Sequence, residues 1–169
     1  FGVAIAEKHA SLIIRGSKGN LRQPDAPIGL GGSGSSMRLL IALAGLVHGV
    51  TTLTGGERLS RRPMGDLFRP LEQMGITVKS MRENGYPPLE VVGGKIKGGE
   101  ITVNGNISSQ FVSALLFIAP FAERQTTILV KDVCSRPYIE LTLGVMNDFG
   151  IIVENNDCLS FVVPPAQRY

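Results

Sequence analysis

Tryptophan is absent from this chain of 169 residues, and aromatic residues of all kinds make up only 6% of it. Proteins that bind single-stranded nucleic acids usually combine stacking aromatic side chains with a basic groove. Basic charge is also sparse, because the net charge is only +3 and no run of like charges occurs. The composition therefore argues against a nucleic acid as the partner.

Cysteine and histidine are scarce, with two residues of each. Cys134 and Cys158 fall in no CxxC pattern, so neither a disulfide framework nor a zinc site is expected, and a reducing cytoplasm is the default location. His9 lies in a predicted hairpin turn and His48 ends an apolar helix. We expect neither histidine to act in catalysis, and we expect no metal.

Long apolar runs are missing as well. A stretch such as Ala114 to Ala122 is interrupted by Pro120 and is too short to cross a bilayer, so no membrane partner is expected. Hydrophobic residues nevertheless make up 43% of the chain against 18% charged ones. This composition is typical of a globular protein that buries a substantial core.

An internal repeat is the most informative pattern that is present. Phe1-Gly2-Val3, Met74-Gly75-Ile76 and Phe149-Gly150-Ile151 each begin a strand-like run, at intervals of 73 and 75 residues. In each case a polar turn and a second apolar strand follow. The sequence therefore contains three copies of one β-hairpin.

The stretches between these hairpins also correspond. Serine pairs at 35–36 and 108–109 precede apolar helices that run to Val47 and Ala122, the runs 51–53 and 126–128 are strand-like, and Arg62-Pro63 and Arg136-Pro137 open second helices. Each complete unit is predicted to be strand–helix–strand–helix–strand–strand, an α/β fold with mixed sheets. The helical crossovers make the strands on either side of them parallel.

We predict a single domain over residues 1–169, with 1–26 as the closing hairpin of a first unit, 27–100 as a second unit and 101–169 as a third. The first helix of each unit is apolar nearly all round, so it should be buried on all sides, with the sheets outside. Pro70 should kink or split its helix. The tail 164–169 is interpreted as an exit linker.

A glycine-rich turn precedes the first helix: residues Gly29 to Arg38 read GLGGSGSSMR. Glycine allows a ligand to approach the backbone closely, and Ser35 or Ser36 could cap the helix that follows. The free N–H groups and the positive end of the helix dipole favour an anion. No Gly-Lys-Ser/Thr follows, so this is not a P-loop.

If the units superpose, the amino ends of equivalent helices gather at one end of the domain. A phosphate or carboxylate ligand is then expected, held by charge-assisted hydrogen bonds. The alternative is that these serines only cap helices and the arginines are solvated. The candidate residues are Ser35, Ser36, Arg38, Arg62, Ser108, Ser109, Gln110, Ser135, Arg136 and Tyr138.

Four segments carry a resemblance that covers essentially the whole chain. GSGSSMR, LTGGERLSRRPMG, NISSQF before an apolar helix, and SRPYIELTLGVMNDFG resemble 5-enolpyruvylshikimate-3-phosphate synthases, in the order and spacing of that family. The related UDP-N-acetylglucosamine enolpyruvyl transferases share the architecture. Their cysteine-bearing loop has no counterpart here.

The resemblance implies a two-domain enzyme in which each domain has three βαβαββ units about a pseudo-threefold axis. Members transfer the enolpyruvyl group of phosphoenolpyruvate to the 5-hydroxyl of shikimate 3-phosphate in aromatic amino acid biosynthesis. They use no metal or organic cofactor. This chain then resembles most of one domain, whose partners are the two substrates and the second domain of the same enzyme, a cytoplasmic monomer.

The resemblance also assigns residues by motif position. Ser108, Ser109 and Ser135 would hold the phosphate of shikimate 3-phosphate, and Tyr138 would lie along its ring. Gln110 would contact both substrates. Arg62 and the backbone N–H of Gly34 would bind phosphoenolpyruvate, at the spot where glyphosate also binds, with Arg38 and Ser35 as supporting residues.

Two departures from the family pattern bear on activity. Gly32 stands where the family usually has Asn, and Ser35 where it has Thr, so an amide donor to phosphoenolpyruvate is lost. No Asp or Glu of this chain matches the general acid–base residues of the family, and the isolated chain should not turn over. A non-catalytic anion-binding or interaction module of the same fold, or an RNA-processing protein of similar repeat fold, stays an alternative.

Overall fold

The computed structural model describes residues 1–17 and 19–169. No helix in these two ranges has the length and apolarity that a membrane crossing would need. Ten strands and four α-helices occur in the described part of the chain: β1 Ala4–Lys8, β2 Ser11–Arg15, β3 Ile28–Gly29, α1 Gly34–Ala44, β4 Gly49–Thr54, α2 Phe68–Gln73, β5 Thr77–Ser80, β6 Leu89–Gly93, β7 Gly99–Asn104, α3 Ser109–Ile118, β8 Thr126–Lys131, α4 Arg136–Asp148, β9 Glu154–Asn156 and β10 Ser160–Val163.

Two four-stranded sheets share one topology. The first has the order β3-β4-β6-β5 and the second β7-β8-β10-β9. In both, the strands flanking the first helix are parallel, and the closing hairpin adds two antiparallel neighbours. The predicted mixed α/β fold with repeated units is confirmed.

β8 illustrates why these segments form strands. Its sequence TTILVK is rich in β-branched residues, which suit a pleated surface. Thr126, Ile128 and Val130 are buried while the alternate residues are more exposed. Because side chains alternate across a strand, one face of the sheet packs on the helices and the other faces outward.

The first helices of the two units pack against each other in the interior. α3 is buried along nearly its whole length, including Phe111. The expectation of burial on all sides is wrong for α1, because Leu39, Leu40 and Leu43 are only half-buried. Together with Phe117 they line an apolar groove of about 270 Å³. α1 therefore has one face without a packing partner in the described part of the chain.

The second helices differ in length. α4 has 13 residues, whereas the corresponding segment of the other unit has 3₁₀ turns at Leu59–Arg61 and Gly65–Leu67 before the six-residue α2. Pro70 is the third residue of α2, where a backbone N–H has no helical partner. The predicted helical run is divided before Phe68, and Pro70 itself is accommodated in the first turn of α2.

The tail 164–169 is anchored to the domain, so its interpretation as an exit linker is wrong. The side-chain amide of Gln167 donates to the carbonyl of Ile152 (3.0 Å), and its oxygen accepts from the N–H of Ile152 (2.7 Å). Tyr169 donates its hydroxyl to the carbonyl of Phe117. The glutamine thus satisfies the same backbone groups that a strand partner would.

The hairpin of β1 and β2 stands apart from both sheets. Its strands pair only with each other, and every residue of both is exposed, including Ile5, Leu12 and Ile14. An isolated two-stranded hairpin is at best marginally stable.

Gly93 marks a close approach between the end of β6 and the C-terminus of α1. A Cβ at Gly93 would lie 2.6–2.7 Å from the carbonyl oxygens of Ala44, Gly45 and Val47. We expect Gly93→Ala to lower the free energy of unfolding by about 1–3 kcal/mol or more, since backbone cannot move aside cheaply. Urea unfolding measures the change.

The matched control is Gly144→Ala in α4, where a Cβ would meet nothing within 4 Å. Alanine favours a helix over glycine by about 1 kcal/mol, so this variant should be as stable as the wild type or more so. A Gly93→Ala protein as stable as Gly144→Ala would contradict the predicted close packing.

Candidate oxyanion-binding site

A cleft of about 310 Å³ lies where the amino ends of α3 and α4 meet. It brings together six of the residues that the sequence singled out, and it adds Ile107 and Cys134. Ser108 and Ser135, which come from different helices, face the same space. The lining residues are Arg38, Ile107, Ser108, Ser109, Gln110, Cys134, Ser135 and Tyr138.

Ser108 is the N-cap of α3. Its Oγ accepts hydrogen bonds from the backbone N–H of Gln110 (3.2 Å) and from Nη1 of Arg38 (3.0 Å). A serine oxygen has two acceptor lone pairs and one hydrogen to donate. With both lone pairs engaged, the hydroxyl of Ser108 is left as a donor to the cleft.

Three further hydroxyls in the cleft, those of Ser109, Ser135 and Tyr138, have no hydrogen-bond partner within residues 1–17 and 19–169. Ser135 precedes α4 in a left-handed backbone conformation (φ 55°) and makes no side-chain cap. Serine is a good N-cap residue by type, but Ser135 does not act as one, because in this left-handed conformation its side chain accepts no hydrogen bond from the helix amides. For a non-glycine residue such a conformation costs about 1–2 kcal/mol.

Arg38 joins the amino end of α1 to that of α3. Besides Ser108, its Nη1 donates to Oε1 of Gln110 (2.9 Å), and its guanidinium lies 5.0 Å from the ring centroid of Phe111. Gln110 in turn donates from Nε2 to Oγ of Ser35 (2.7 Å). One network of side chains, which includes Arg38 and Ser35, therefore connects both helix ends.

The glycine-rich turn starts α1 earlier than the sequence suggested. Ser33 is the N-cap, accepting from the N–H of Ser36 (3.2 Å), and the helix begins at Gly34. Ser35 and Ser36 lie inside the first turn, so the expectation that one of them caps the helix is wrong. The extended backbone of Ser33 (φ −80°, ψ 101°) is the conformation typical of a cap residue.

Gly34 is buried beneath the side chain of Arg62. A Cβ at Gly34 would lie 2.5 Å from Nη1 and 3.3 Å from Cδ of Arg62. Glycine therefore allows the guanidinium to lie against the amino end of α1. This places the two residues expected to bind phosphoenolpyruvate in direct contact.

Positive charge in this region is not neutralised by the protein. Burial, and secondly the charge of Arg62, lower the pKa of Arg38 from its ordinary value. The ion pairs of the described residues are Glu57–Arg61, Lys95–Glu123 and Arg136–Asp157, and none of them includes Arg38 or Arg62. A bound oxyanion would relieve this uncompensated charge.

Arg136 does not join the site. Its guanidinium forms an ion pair with Asp157 in the β9–β10 hairpin, and the carboxylate raises the pKa of Arg136. The expectation that Arg136 contributes to the site is therefore wrong, and of the three candidate arginines only Arg38 lines the cleft. The side chain of Arg136 is exposed and flexible, and it pairs with the nearby carboxylate of Asp157 instead of turning towards the cleft.

Within the described ranges, no group of three or more His, Cys, Asp or Glu side chains is arranged to hold a metal ion. A larger cleft of about 430 Å³ lies between α2 and β7, but its charged side chains, among them Asp66, Arg69 and Lys131, are exposed and of both signs. The cleft at α3 and α4 differs from it in having hydroxyls and a guanidinium in its lining and no carboxylate.

Sequence reasoning missed Ser33, Phe111 and Cys134. Three serines surround Gly34, and the pattern alone could not choose the cap. Cys134 was judged only for disulfides and metals, although it directly precedes Ser135; its thiol donates to the carbonyl of Gly105 (2.8 Å).

These features define a domain of repeated βαβαββ units with a cleft lined by hydroxyl and guanidinium donors at the amino ends of its helices. The profile of the EPSP synthase (3-phosphoshikimate 1-carboxyvinyltransferase) family matches residues 1–169. The chain belongs to this family.

Individual relatives agree. The chain is 40% identical over 172 residues to a 3-phosphoshikimate 1-carboxyvinyltransferase of Methanosarcina mazei, covering all of this chain and 40% of that protein. It is 43% identical to the enzyme of the same name from Erwinia tasmaniensis, covering 94% of this chain and 37% of the relative. EPSP synthase from Acinetobacter baumannii has a similar structure, with a TM-score of 0.84 at 27% identity over 98% of this chain and 37% of that one. The chain thus spans about two fifths of these proteins.

The hydrogen bond from the N–H of Ser36 to the side chain of Ser33 should stabilise the amino end of α1. We expect Ser33→Ala to lower the free energy of unfolding by about 0.5–2 kcal/mol, because the N–H of Ser36 loses its acceptor. Ser36→Ala is the matched control and should cost less, since it removes only the exposed hydrogen bond between the two serine hydroxyls (2.8 Å) and leaves the cap acceptor in place. Urea unfolding of both variants measures the difference, and a larger loss for Ser36→Ala would show that the cap is misassigned.

Proposed function

We propose that this chain is the shikimate 3-phosphate-binding domain of an enzyme that transfers the enolpyruvyl group of phosphoenolpyruvate to the 5-hydroxyl of shikimate 3-phosphate. The observation that supports this most directly is the cleft itself, where unpartnered hydroxyls of α3 and α4 converge beside Arg38. Family membership supports the reaction class.

In this proposal Ser108, Ser109 and Ser135 donate hydrogen bonds to the phosphate of shikimate 3-phosphate. Tyr138, which is 66% exposed, packs along the ring of the substrate. A hydrogen bond to a charged group contributes about 1.5–3 kcal/mol. Three such donors fixed in advance by their helices would select a tetrahedral oxyanion.

Phosphoenolpyruvate binds on the α1 side in this proposal, through Arg62, the N–H of Gly34 and the amide of Gln110. The contact between Gly34 and Arg62, and the hydrogen bond from Gln110 to Ser35, support a shared site. Because Gln110 lies between the two groups of residues, it is the residue that would contact both substrates.

The contribution of this chain to the reaction is positioning and charge. Arg62 and the helix amides stabilise negative charge that moves onto the departing phosphate, and both substrates are held in attack geometry. None of the residues assigned to the two substrates is a carboxylate, so proton transfer falls to residues outside this chain. We expect the isolated chain to bind shikimate 3-phosphate without turning it over.

The proposal assigns 1–26 to the closing hairpin of a first unit, 27–100 to a second and 101–169 to a third. The exposed hairpin of β1 and β2 and the apolar groove at Leu39 and Leu43 support this assignment, because each leaves apolar surface on which a further segment would pack. A first-unit segment would cover them, and a second domain would close over the cleft. We propose that the whole enzyme is a cytoplasmic monomer, an environment that suits the free thiols of Cys134 and Cys158.

Calorimetric titration with shikimate 3-phosphate tests the first half of the proposal. We expect Ser135→Gly to weaken binding about tenfold, because a donor is lost. Its unfolding free energy should stay equal or rise by up to about 1 kcal/mol, because glycine adopts the left-handed conformation without strain.

Arg136→Ala is the matched control for this titration, since its guanidinium pairs with Asp157 outside the cleft. An exposed ion pair contributes at most about 1 kcal/mol, and the affinity should not change. A wild-type chain that produces no heat at millimolar ligand, or equal losses in the two variants, would contradict the assignment.

Arg62→Ala in the whole enzyme tests the second half. We expect the KM for phosphoenolpyruvate to rise at least tenfold, while the affinity for shikimate 3-phosphate changes little, because Arg62 lies against α1 and does not line the cleft of Ser108 and Ser135. Steady-state kinetics with each substrate varied gives both values. Equal effects on both substrates would overturn the role given to Arg62.

A further inference from the structure

A buried pair of hydroxyls connects α3 to α4 directly behind the cleft. Ser113 and Thr142 are 6% and 7% exposed, and Oγ of Ser113 lies 2.7 Å from Oγ1 of Thr142. Thr142 also donates to the carbonyl of Tyr138 (2.9 Å), one helical turn earlier.

The direction of this relay follows from the number of hydrogens. A threonine hydroxyl has a single hydrogen, and Thr142 gives it to the carbonyl of Tyr138. Ser113 must therefore be the donor to Thr142. The chain of hydrogen bonds runs from the body of α3 to the first turn of α4.

The two ends of the relay lie close in sequence to the residues of the cleft. Ser113 is five residues beyond Ser108, the N-cap of α3, and the acceptor carbonyl belongs to Tyr138 itself. Rotation or sliding of α4 against α3 would change the distance between the hydroxyls of Ser108 and Ser135. The relay opposes such a shift because hydrogen bonds are directional.

An apolar pair of the same shape would fill this space with little loss of stability. Such a pair would not fix one rotation of α4, since apolar contacts are non-directional. We propose that Ser113 and Thr142 are positioning residues that set the separation of α3 and α4, and with it the fit of the cleft to shikimate 3-phosphate. The proposal rests on the proposed function for the identity of this ligand.

A comparison within the chain supplies a control. Thr51 is 1% exposed, and its hydroxyl has no partner within the described ranges. The change Thr51→Val therefore removes a buried threonine hydroxyl that belongs to no relay. It matches Thr142→Val in chemistry and burial, and it lies in β4, away from the cleft.

The experiment compares Thr142→Val, Ser113→Ala, the double variant, Thr142→Ser and Thr51→Val in this chain. Calorimetry with shikimate 3-phosphate measures affinity, urea unfolding measures stability, and amide NMR shifts of Ser135 and Tyr138 without ligand measure the placement of α4. Ser113→Ala is the milder change and serves where Thr142→Val does not fold.

We expect Thr142→Val and Ser113→Ala to weaken binding five- to tenfold, and Thr142→Ser, which keeps the hydroxyl, to stay within twofold of the wild type. Thr51→Val should leave affinity unchanged. The double variant is the decisive case. It should be more stable than Thr142→Val, because the hydroxyl of Ser113, which loses its acceptor in that variant, is also removed. It should nevertheless bind as weakly as the single variants. If the two hydroxyls affected only stability, the double variant would regain its affinity together with its stability.

Wild-type affinity in Thr142→Val or in the double variant would overturn the positioning role. If the wild type itself does not bind shikimate 3-phosphate, the proposed function fails, and the ligand-free shifts decide the positioning role separately. A shift at Ser135, which makes no hydrogen bond with Thr142, that is larger in Thr142→Val than in Thr142→Ser supports it, and equal shifts in the two variants overturn it.

Discussion

The guanidinium of Arg38 is the contact through which the two repeat units share one site. It extends from α1 to the N-cap hydroxyl and the second residue of α3, and Gln110 returns a hydrogen bond to α1. This arrangement uses both lone pairs of Ser108, and so it also determines that this hydroxyl donates outward. The cost is a partly buried charge: Nε of Arg38 is buried and has no partner within the described ranges.

The repeat explains why such a contact can form. Two units of identical strand order place their first helices side by side, with both amino ends at the same end of the domain. The dipoles of these helices then add to the charge of Arg38 and Arg62 instead of cancelling it. A fold that must bury apolar helices thus gathers positive charge and hydrogen-bond donors at one end of the domain as a consequence of its topology.

Sequence reasoning went furthest where the physics is local and repeated. The strands of both sheets follow from alternating β-branched residues and the hairpins from recurring turns, so the unit and its mixed sheets could be predicted. The gathering of Ser108 and Ser135 followed once the units were superposed. Helix ends were harder to predict from the sequence, because Ser33, Ser35 and Ser36 are equally good caps by residue type. Only the backbone conformation distinguishes them.

Contacts between side chains distant in sequence were beyond prediction. Arg136 was assigned to the site because its position in the repeat matches Arg62, yet Asp157 binds it from a hairpin in which the units differ. The tail was interpreted as a linker because its six residues contain no pattern that predicts a contact with the domain. In the structure, the amide of Gln167 pairs with the backbone of Ile152. In both cases the deciding partner lies 15–21 residues away.

The site combines several costs that a ligand would offset. Ser135 has a strained backbone, Arg38 is desolvated beside a second cation, and the hydroxyls of Ser109, Ser135 and Tyr138 have no hydrogen-bond partner among the described residues. Residues held in unfavourable conformations persist where the surrounding structure determines them, and such residues cluster at functional sites. The buried relay from Ser113 to Tyr138 is part of that surrounding structure, because it holds α4 where Ser135 must turn. The packing of α3 against α4 therefore accounts both for the rigidity of the helix pair and for the cleft hydroxyls that have no hydrogen-bond partner among the described residues.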